Sequence, residues 1–153
     1  MRRQSGTTMV EFAIVGLLLF VTLFGVIEFA RAVFVWNTMT EATRRGARVA
    51  AVCPVNHANV AQYTIFGLPG GGAQSPVLPN LTTANVVMRY LDANGGDTAN
   101  YPDIRYVQVA MQNYTHRLII PAPLPDMQLP PFTTTLPAES LGYNPDTGAR
   151  ECP

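Results

Sequence analysis

Between Thr7 and Val52 the chain contains no proline and no other strong helix breaker, and within that stretch Phe12–Ile27 (FAIVGLLLFVTLFGVI) carries no charge at all. A run of this kind constrains the fold more than anything else in the sequence. Its 16 uncharged residues would rise roughly 24 Å as a helix, close to the hydrocarbon thickness of a bilayer, about 30 Å. Glu28 and Arg31 follow at a spacing that lets them pair on one helix face, and Arg31 can extend its charge toward an interface. Val33-Phe34-Val35-Trp36 then adds apolar length with a tryptophan suited to a membrane boundary. The expected span is residues 7–36.

Beyond Trp36 the pattern becomes amphipathic. Val35, Met39, Ala42, Gly46, Val49 and Cys53 fall on one helical stripe, while Glu41, Arg44, Arg45 and Arg48 occupy the other face, with Glu41 and Arg45 at the favourable i,i+4 spacing. Pro54 ends the pattern. The sequence thus predicts a single helix over residues 7–52, on the order of 70 Å long, with residues 37–53 as an amphipathic extension. The small residues Ala42 and Gly46 permit close backbone approach, either to a sheet within the same subunit or to another helix in an assembly.

The remaining residues, 54–153, read as a small α+β head. Residues 54–80 are loop-like, including a Gly/Pro segment at Leu68–Pro76. Thr82 or Thr83 is positioned to cap a short helix over Ala84–Asn94, ended by Gly95-Gly96. Ile104–Met111 and Tyr114–Ile120 read as strands joined by a hairpin loop at Gln112-Asn113. Pro121–Pro131 holds five prolines and reads as an extended connection. Phe132–Leu136 is a candidate third strand, followed by a polar tail. The expected fold is α+β: a long N-terminal helix, then a head with a short helix and an antiparallel sheet.

Composition narrows the function classes. Charged residues make up only 13% of the chain and the formal net charge is zero, which removes any bulk electrostatic case for nucleic acid. No catalytic constellation is visible. The Gly70–Gly72 run lacks the Gly-Lys-Ser/Thr that completes a phosphate loop, and His57 and His116 read as a loop residue and a strand residue. No cofactor is expected, and the chain does not read as an enzyme.

The N-terminus is the informative site. Arg2 and Arg3 form a short basic leader, Gly6 offers an unobstructed bond, and Glu11 places a carboxylate at the edge of the apolar run, where a charge is expensive. Gly6-Thr-Thr-Met-Val-Glu11-Phe12 with its apolar helix resembles the type III signal of type IV pilin-like proteins. The wider stretch Gly6–Arg48 resembles TadE-like pseudopilins of the tight-adherence (Tad, or Flp) pilus. Glu-Phe-Ala at 11–13, Glu28-Phe-Ala-Arg31 and Ala42-Thr-Arg-Arg-Gly-Ala-Arg48 carry that likeness. The family usually places Tyr after the Glu, where this chain has Phe12.

The resemblance implies that residues 1–6 are a leader cut by a prepilin peptidase at Gly6–Thr7, with Glu11 and Phe12 serving processing and assembly. It implies the bacterial inner membrane as the location, with a cytoplasmic N-terminus and an exported head. The implied partners are that peptidase, other Tad pilins or pseudopilins and the inner-membrane platform. After the cut Glu11 would be the fifth residue, about one helical turn from the new α-amino group. Methylation of Thr7 is a further implication. One alternative is a plain single-pass anchor with a binding or structural role at the periplasmic side or surface. Another is a secretory signal cut at Ala30-Arg31-Ala32, although the apolar run exceeds the usual 7–15 residues.

In an exported head the two cysteines, Cys53 and Cys152, suggest a disulfide. Two free thiols, or zinc held by these cysteines with His57 and His116, are the other options, though the spacing matches no compact zinc module.

Overall fold

The structure, a computed structural model, describes residues 5–68, 70, 74–119 and 126–152. The leader residues Arg2 and Arg3, the glycines Gly71 and Gly72, and the proline-rich stretch 120–125 lie outside them.

One unbroken helix, α1, runs from Ser5 to Val52, as the absence of a breaker predicts. Its C-terminal half carries the expected stripe into the core: Val35, Met39, Ala42 and Cys53 are buried, Gly46 is buried with them, and Val49 is half-buried. The stripe meets elements of the same chain. Thr43, Ala47 and Ala50 widen it, because α1 is covered on two sides, by a sheet and by a second helix.

That second helix, α2 (Ala58–Phe66), lies where the sequence reads as loop. It is only nine residues long and rich in β-branched side chains, so its own propensity is weak. Packing and caps hold it instead. Val60, Thr64 and Ile65 are buried. His57 is the N-cap, its Nδ1 accepting from the Asn59 N–H at 3.3 Å. Gly67, at φ 76°, closes the helix by donating to the Tyr63 carbonyl. Arg45 of α1 donates to the Tyr63 and Thr64 carbonyls, both at 2.8 Å, which places a cation at the negative end of α2. Arg45 is therefore not the partner of Glu41. That carboxylate lies 4.0 Å from Arg44 instead, and both side chains are largely solvated.

The sheet has three antiparallel strands, β1 (Val86–Leu91), β2 (Tyr106–Met111) and β5 (Phe132–Pro137), with β2 in the centre. Its register sets Val86 opposite Met111 and Met111 opposite Phe132. β2 and β5 confirm the expected strands. β1 corrects the helix expected over Ala84–Asn94. Thr82 starts only a single 3-10 turn, Thr83–Asn85, fixed by its N–H to Asn85 Oδ1 at 2.9 Å. The following Val-Val-Met-Arg-Tyr-Leu pairs along the whole length of β2. Alternate residues Val86, Met88 and Tyr90 point to the core, and Gly95, at φ 83°, serves a strand-terminal turn. Across that turn Arg89 binds Asp97 through two hydrogen bonds, at 2.9 and 2.6 Å. This pairing holds the exposed Asp97 carboxyl below its ordinary pKa.

The expected hairpin at Gln112-Asn113 does not form. Both edges of β2 are already occupied, by β1 and β5. The chain leaves the sheet at Asn113, φ 57°, held by Asn85 Nδ2 donating to the Gln112 and Asn113 carbonyls. The strand read at Tyr114–Ile120 shrinks to β3 (Thr115–His116), which pairs with β4 (Met127–Gln128) inside the proline-rich connection.

α1 lies across the sheet. Thr43 Oγ1 and Thr134 Oγ1 are 3.0 Å apart, and the Trp36 and Phe132 rings meet edge to face at 4.8 Å. The polar tail is ordered against the end of α1: the Glu139 and Leu141 N–H groups both bond the Ala51 carbonyl, at 3.1 and 3.2 Å, satisfying a helix-terminal acceptor.

At Gly46 α1 and α2 come so close that a Cβ there would run into the Thr64 hydroxyl. Gly46→Ala should therefore destabilise the head by about 1–3 kcal/mol, despite alanine's better helix propensity. Thermal unfolding of the detergent-solubilised chain checks this: Tm should fall by several degrees, and adding Thr64→Ala should return part of the loss.

Candidate functional site

The N-terminal half of α1 leaves the head behind. From Gly6 to Ile27 nearly every residue is exposed, with Gly16 alone intermediate. The most apolar 18-residue window of α1 has mean hydropathy 2.6 and none of it is buried. This helix is long and apolar enough to cross a membrane, and none of the described residues of the head shields the part that would do so.

Among the described residues, the head first reaches α1 at Glu28. The Glu28 carboxylate binds Arg31 at 2.5 Å, accepts the Ile119 N–H at 3.4 Å, and lies 3.4 Å from His116 Nε2. His116 itself is buried on β3, its Nε2 lacking a well-aligned hydrogen bond. The bare segment 6–27 spans roughly 33 Å as a helix, which matches a hydrocarbon core of about 30 Å. Residues 28–36, the upper part of the expected span, carry the head along one face.

Within the bare segment the predicted site residues sit as follows. Gly6 and Thr7 belong to the first turn of α1 and are exposed, and among the described residues nothing beyond the neighbouring helix backbone comes within 4 Å of where a Gly6 Cβ would stand. Glu11 lies one turn further on, exposed, beside Phe12, which is 77% exposed. Among the described residues Glu11 has no ion-pair or hydrogen-bond partner, whereas Glu28 has several. The same helix thus holds one acid satisfied inside the chain and one presented outward.

The other predicted pair lies at the far end of α1. Cys53, fully buried, is joined to Cys152 in a disulfide, with Cα atoms 4.5 Å apart. His57 caps α2 near this end, but His116 sits at Glu28, about 37 Å down the helix by residue count. The four side chains that zinc would need are therefore not brought together. The bridge ties down a tail that is packed tightly: a Cβ on Gly142 would meet Pro54 Cδ at 2.6 Å, and the Arg150 guanidinium stacks 3.8 Å above the Tyr101 ring.

Sequence reasoning missed the part played by His116 and Ile119 in holding Glu28. The Glu28–Arg31 spacing was visible, but the second and third groups around Glu28 come from a segment more than eighty positions later, which no local pattern connects to it.

Residues 6–48 match the family model described as TadE-like protein. The match covers the bare segment, the Glu28 junction and most of the packed half of α1. It makes this segment, 43 of the chain's 153 residues, TadE-like. No curated protein and no solved structure matches the chain.

The disulfide closes a loop of 99 residues by sequence separation. Denatured protein should show no free thiol before reduction and two after it. Cys152→Ser should lower stability by up to about 4.7 kcal/mol, the chain-entropy value for a loop of this size. Denaturant titration of the oxidised chain against the variant measures that difference.

Proposed function

We propose that this TadE-like protein is a pseudopilin or minor pilin of a Tad (Flp) pilus, cut between Gly6 and Thr7 by a prepilin peptidase, and that its role is assembly, not catalysis. The observation that carries the reading is where the TadE-like match falls. It begins at Gly6, takes in the whole bare apolar segment with the outward Glu11, and runs into the packed half of α1. A conventional anchor needs only an apolar span. It has no use for an uncompensated carboxylate five residues beyond an unobstructed glycine.

In this reading the head lies outside the cytoplasm, in keeping with its disulfide, and the basic leader stays inside. Cleavage creates an ammonium at Thr7. Glu11 lies four residues along the same helix, roughly 6 Å in axial rise. A carboxylate in a low-dielectric setting interacts strongly with such a charge, whether on its own chain or on a neighbour. The partners are then the peptidase, other pilins or pseudopilins of the system, and the inner-membrane platform.

N-terminal sequencing of membrane-extracted protein tests the proposal. Thr7 as the first residue supports it, retained Met1 indicates a plain anchor, and Val33 a secretory signal. Glu11→Ala should leave the head folded, because Glu11 touches none of it, while largely abolishing pilus output. Unchanged pilus output in that variant would sink the assembly role.

A further inference from the structure

The end of the head nearest the bare segment is formed by β3 and β4. Ile119 bonds the Glu28 carboxylate through its N–H, so it lies level with the first residue beyond the uncharged run. Met127 is paired opposite His116 on the neighbouring strand, and His116 faces the same Glu28. Both tips are apolar and open, Ile119 at 69% and Met127 at 50% exposure. On α1 beside them Phe29 (72%), Val33 and Trp36 are likewise exposed. Together with β4 they form a groove of about 380 Å³ lined almost wholly by apolar atoms.

Met127 shares that groove with Phe29, Val33 and Trp36, Ile119 lines a neighbouring cleft with Arg31 and the exposed Phe34, and these apolar side chains make up a rim beside which α1 continues into the exposed apolar residues 6–27. At the same level Arg117 and Asp126 are largely exposed and 3.6 Å apart. Arg117 thus places a long cationic side chain beside apolar tips, the arrangement by which a stem lies along lipid while its charge reaches the headgroups. The other large apolar side chains exposed on the head, such as Leu68, Val87 and Tyr143, lie on separate elements and make no such rim.

We propose that this rim is a second, peripheral membrane contact: the β3–β4 tips and the Phe29–Trp36 face seat the head on the bilayer surface, with Ile119 and Met127 in the boundary between headgroups and acyl chains. The proposal rests on α1 spanning the membrane through residues 6–27. The head would then be held to the membrane by its own surface as well as by the helix that emerges beneath it, which restricts how far it can swing on α1.

The chain has a single tryptophan, Trp36, so replacing it with Phe clears the background for reporter tryptophans. Three full-length variants in that background, Phe20→Trp, Ile119→Trp and Tyr143→Trp, are reconstituted in vesicles of phosphatidylcholine and phosphatidylglycerol. Some vesicles carry lipid brominated near the headgroup end of the acyl chain and others lipid brominated near its methyl end. The span reading requires strong quenching of Phe20→Trp by the deep bromines. Given that, the rim proposal expects Ile119→Trp to be quenched several-fold more by shallow than by deep bromines, with Tyr143→Trp, at the far end of the head, unaffected. If Phe20→Trp is quenched but Ile119→Trp behaves like Tyr143→Trp, the rim proposal fails and the span stands. If Ile119→Trp is shielded from aqueous acrylamide yet insensitive to brominated lipid, the rim is covered by protein and the lipid contact is again refuted. No quenching of Phe20→Trp would overturn the span and the rim together.

Discussion

The mismatch in length between α1 and the head organises this molecule. A helix of 48 residues extends about 72 Å, and the described residues of the head cover it from Glu28 to Val52. That half is indispensable to the head. A three-stranded antiparallel sheet needs a partner for its apolar face, and Val35, Met39, Ala42, Ala47 and Ala50 of α1 supply it against Val107, Val109 and Met111 of β2 and their neighbours. The other half is exposed along its length and takes no part in the core of the described head. An exposed apolar surface of that size is not a stable arrangement in water, so the fold of the head and the medium around residues 6–27 are two separate requirements placed on one helix.

The C-terminal end of α1 is fastened several times over. The tail N–H groups of Glu139 and Leu141 take up the Ala51 carbonyl, Cys152 is bonded to Cys53, and the chain turns back at Asn56, whose N–H donates to the Tyr90 hydroxyl at 3.0 Å. Burial raises the pKa of that Tyr90 phenol above its ordinary value, so the hydroxyl stays neutral and able to accept. Arg45 and the Gly46–Thr64 contact lock α2 against the same turn of helix. A force applied along α1 is thereby delivered to the sheet, the second helix and the tail together.

Much of this was legible in the sequence because the strongest signals are local. The unbroken helix, its inward stripe, strands β2 and β5 and the cysteine pair follow from periodicity, breakers and residue type. The failures share one cause, the priority of tertiary partners over local preference. Ala84–Asn94 carries a cap and a plausible helical face, yet Val86–Leu91 pairs fully with β2. A helix there would leave that edge of the central strand bare. α2 has poor propensity and an atypical His57 cap, and exists because Gly46 lets it approach α1 and Arg45 closes it. Gln112-Asn113 looked like a hairpin loop only because the claim of β5 on the same edge of β2 comes twenty residues later. At the candidate site the N-terminal residues were readable as a motif, whereas the anchoring of Glu28 by His116 and Ile119 depended on where the fold returns.

The two acids of α1 state the division most clearly. Glu28 and Glu11 are the same side chain on the same helix, seventeen positions apart. Glu28 is met by a guanidinium and a backbone N–H, with a buried imidazole nitrogen 3.4 Å away, so its charge is paired inside the subunit. Glu11 stands among Val10, Phe12 and Ile14 on an exposed surface that none of the described residues of the head covers. A carboxylate at that depth is tolerated only with a compensating group, and the described residues contain none. Its compensation must come from a group at or before the first turn, or from another molecule. A free ammonium at Thr7, one turn below, is the nearest such group that a single peptide-bond cleavage can create. The placement of Glu11 therefore ties its cost to the fate of the Gly6–Thr7 bond, while Glu28, already paired, marks where the self-sufficient part of the protein begins.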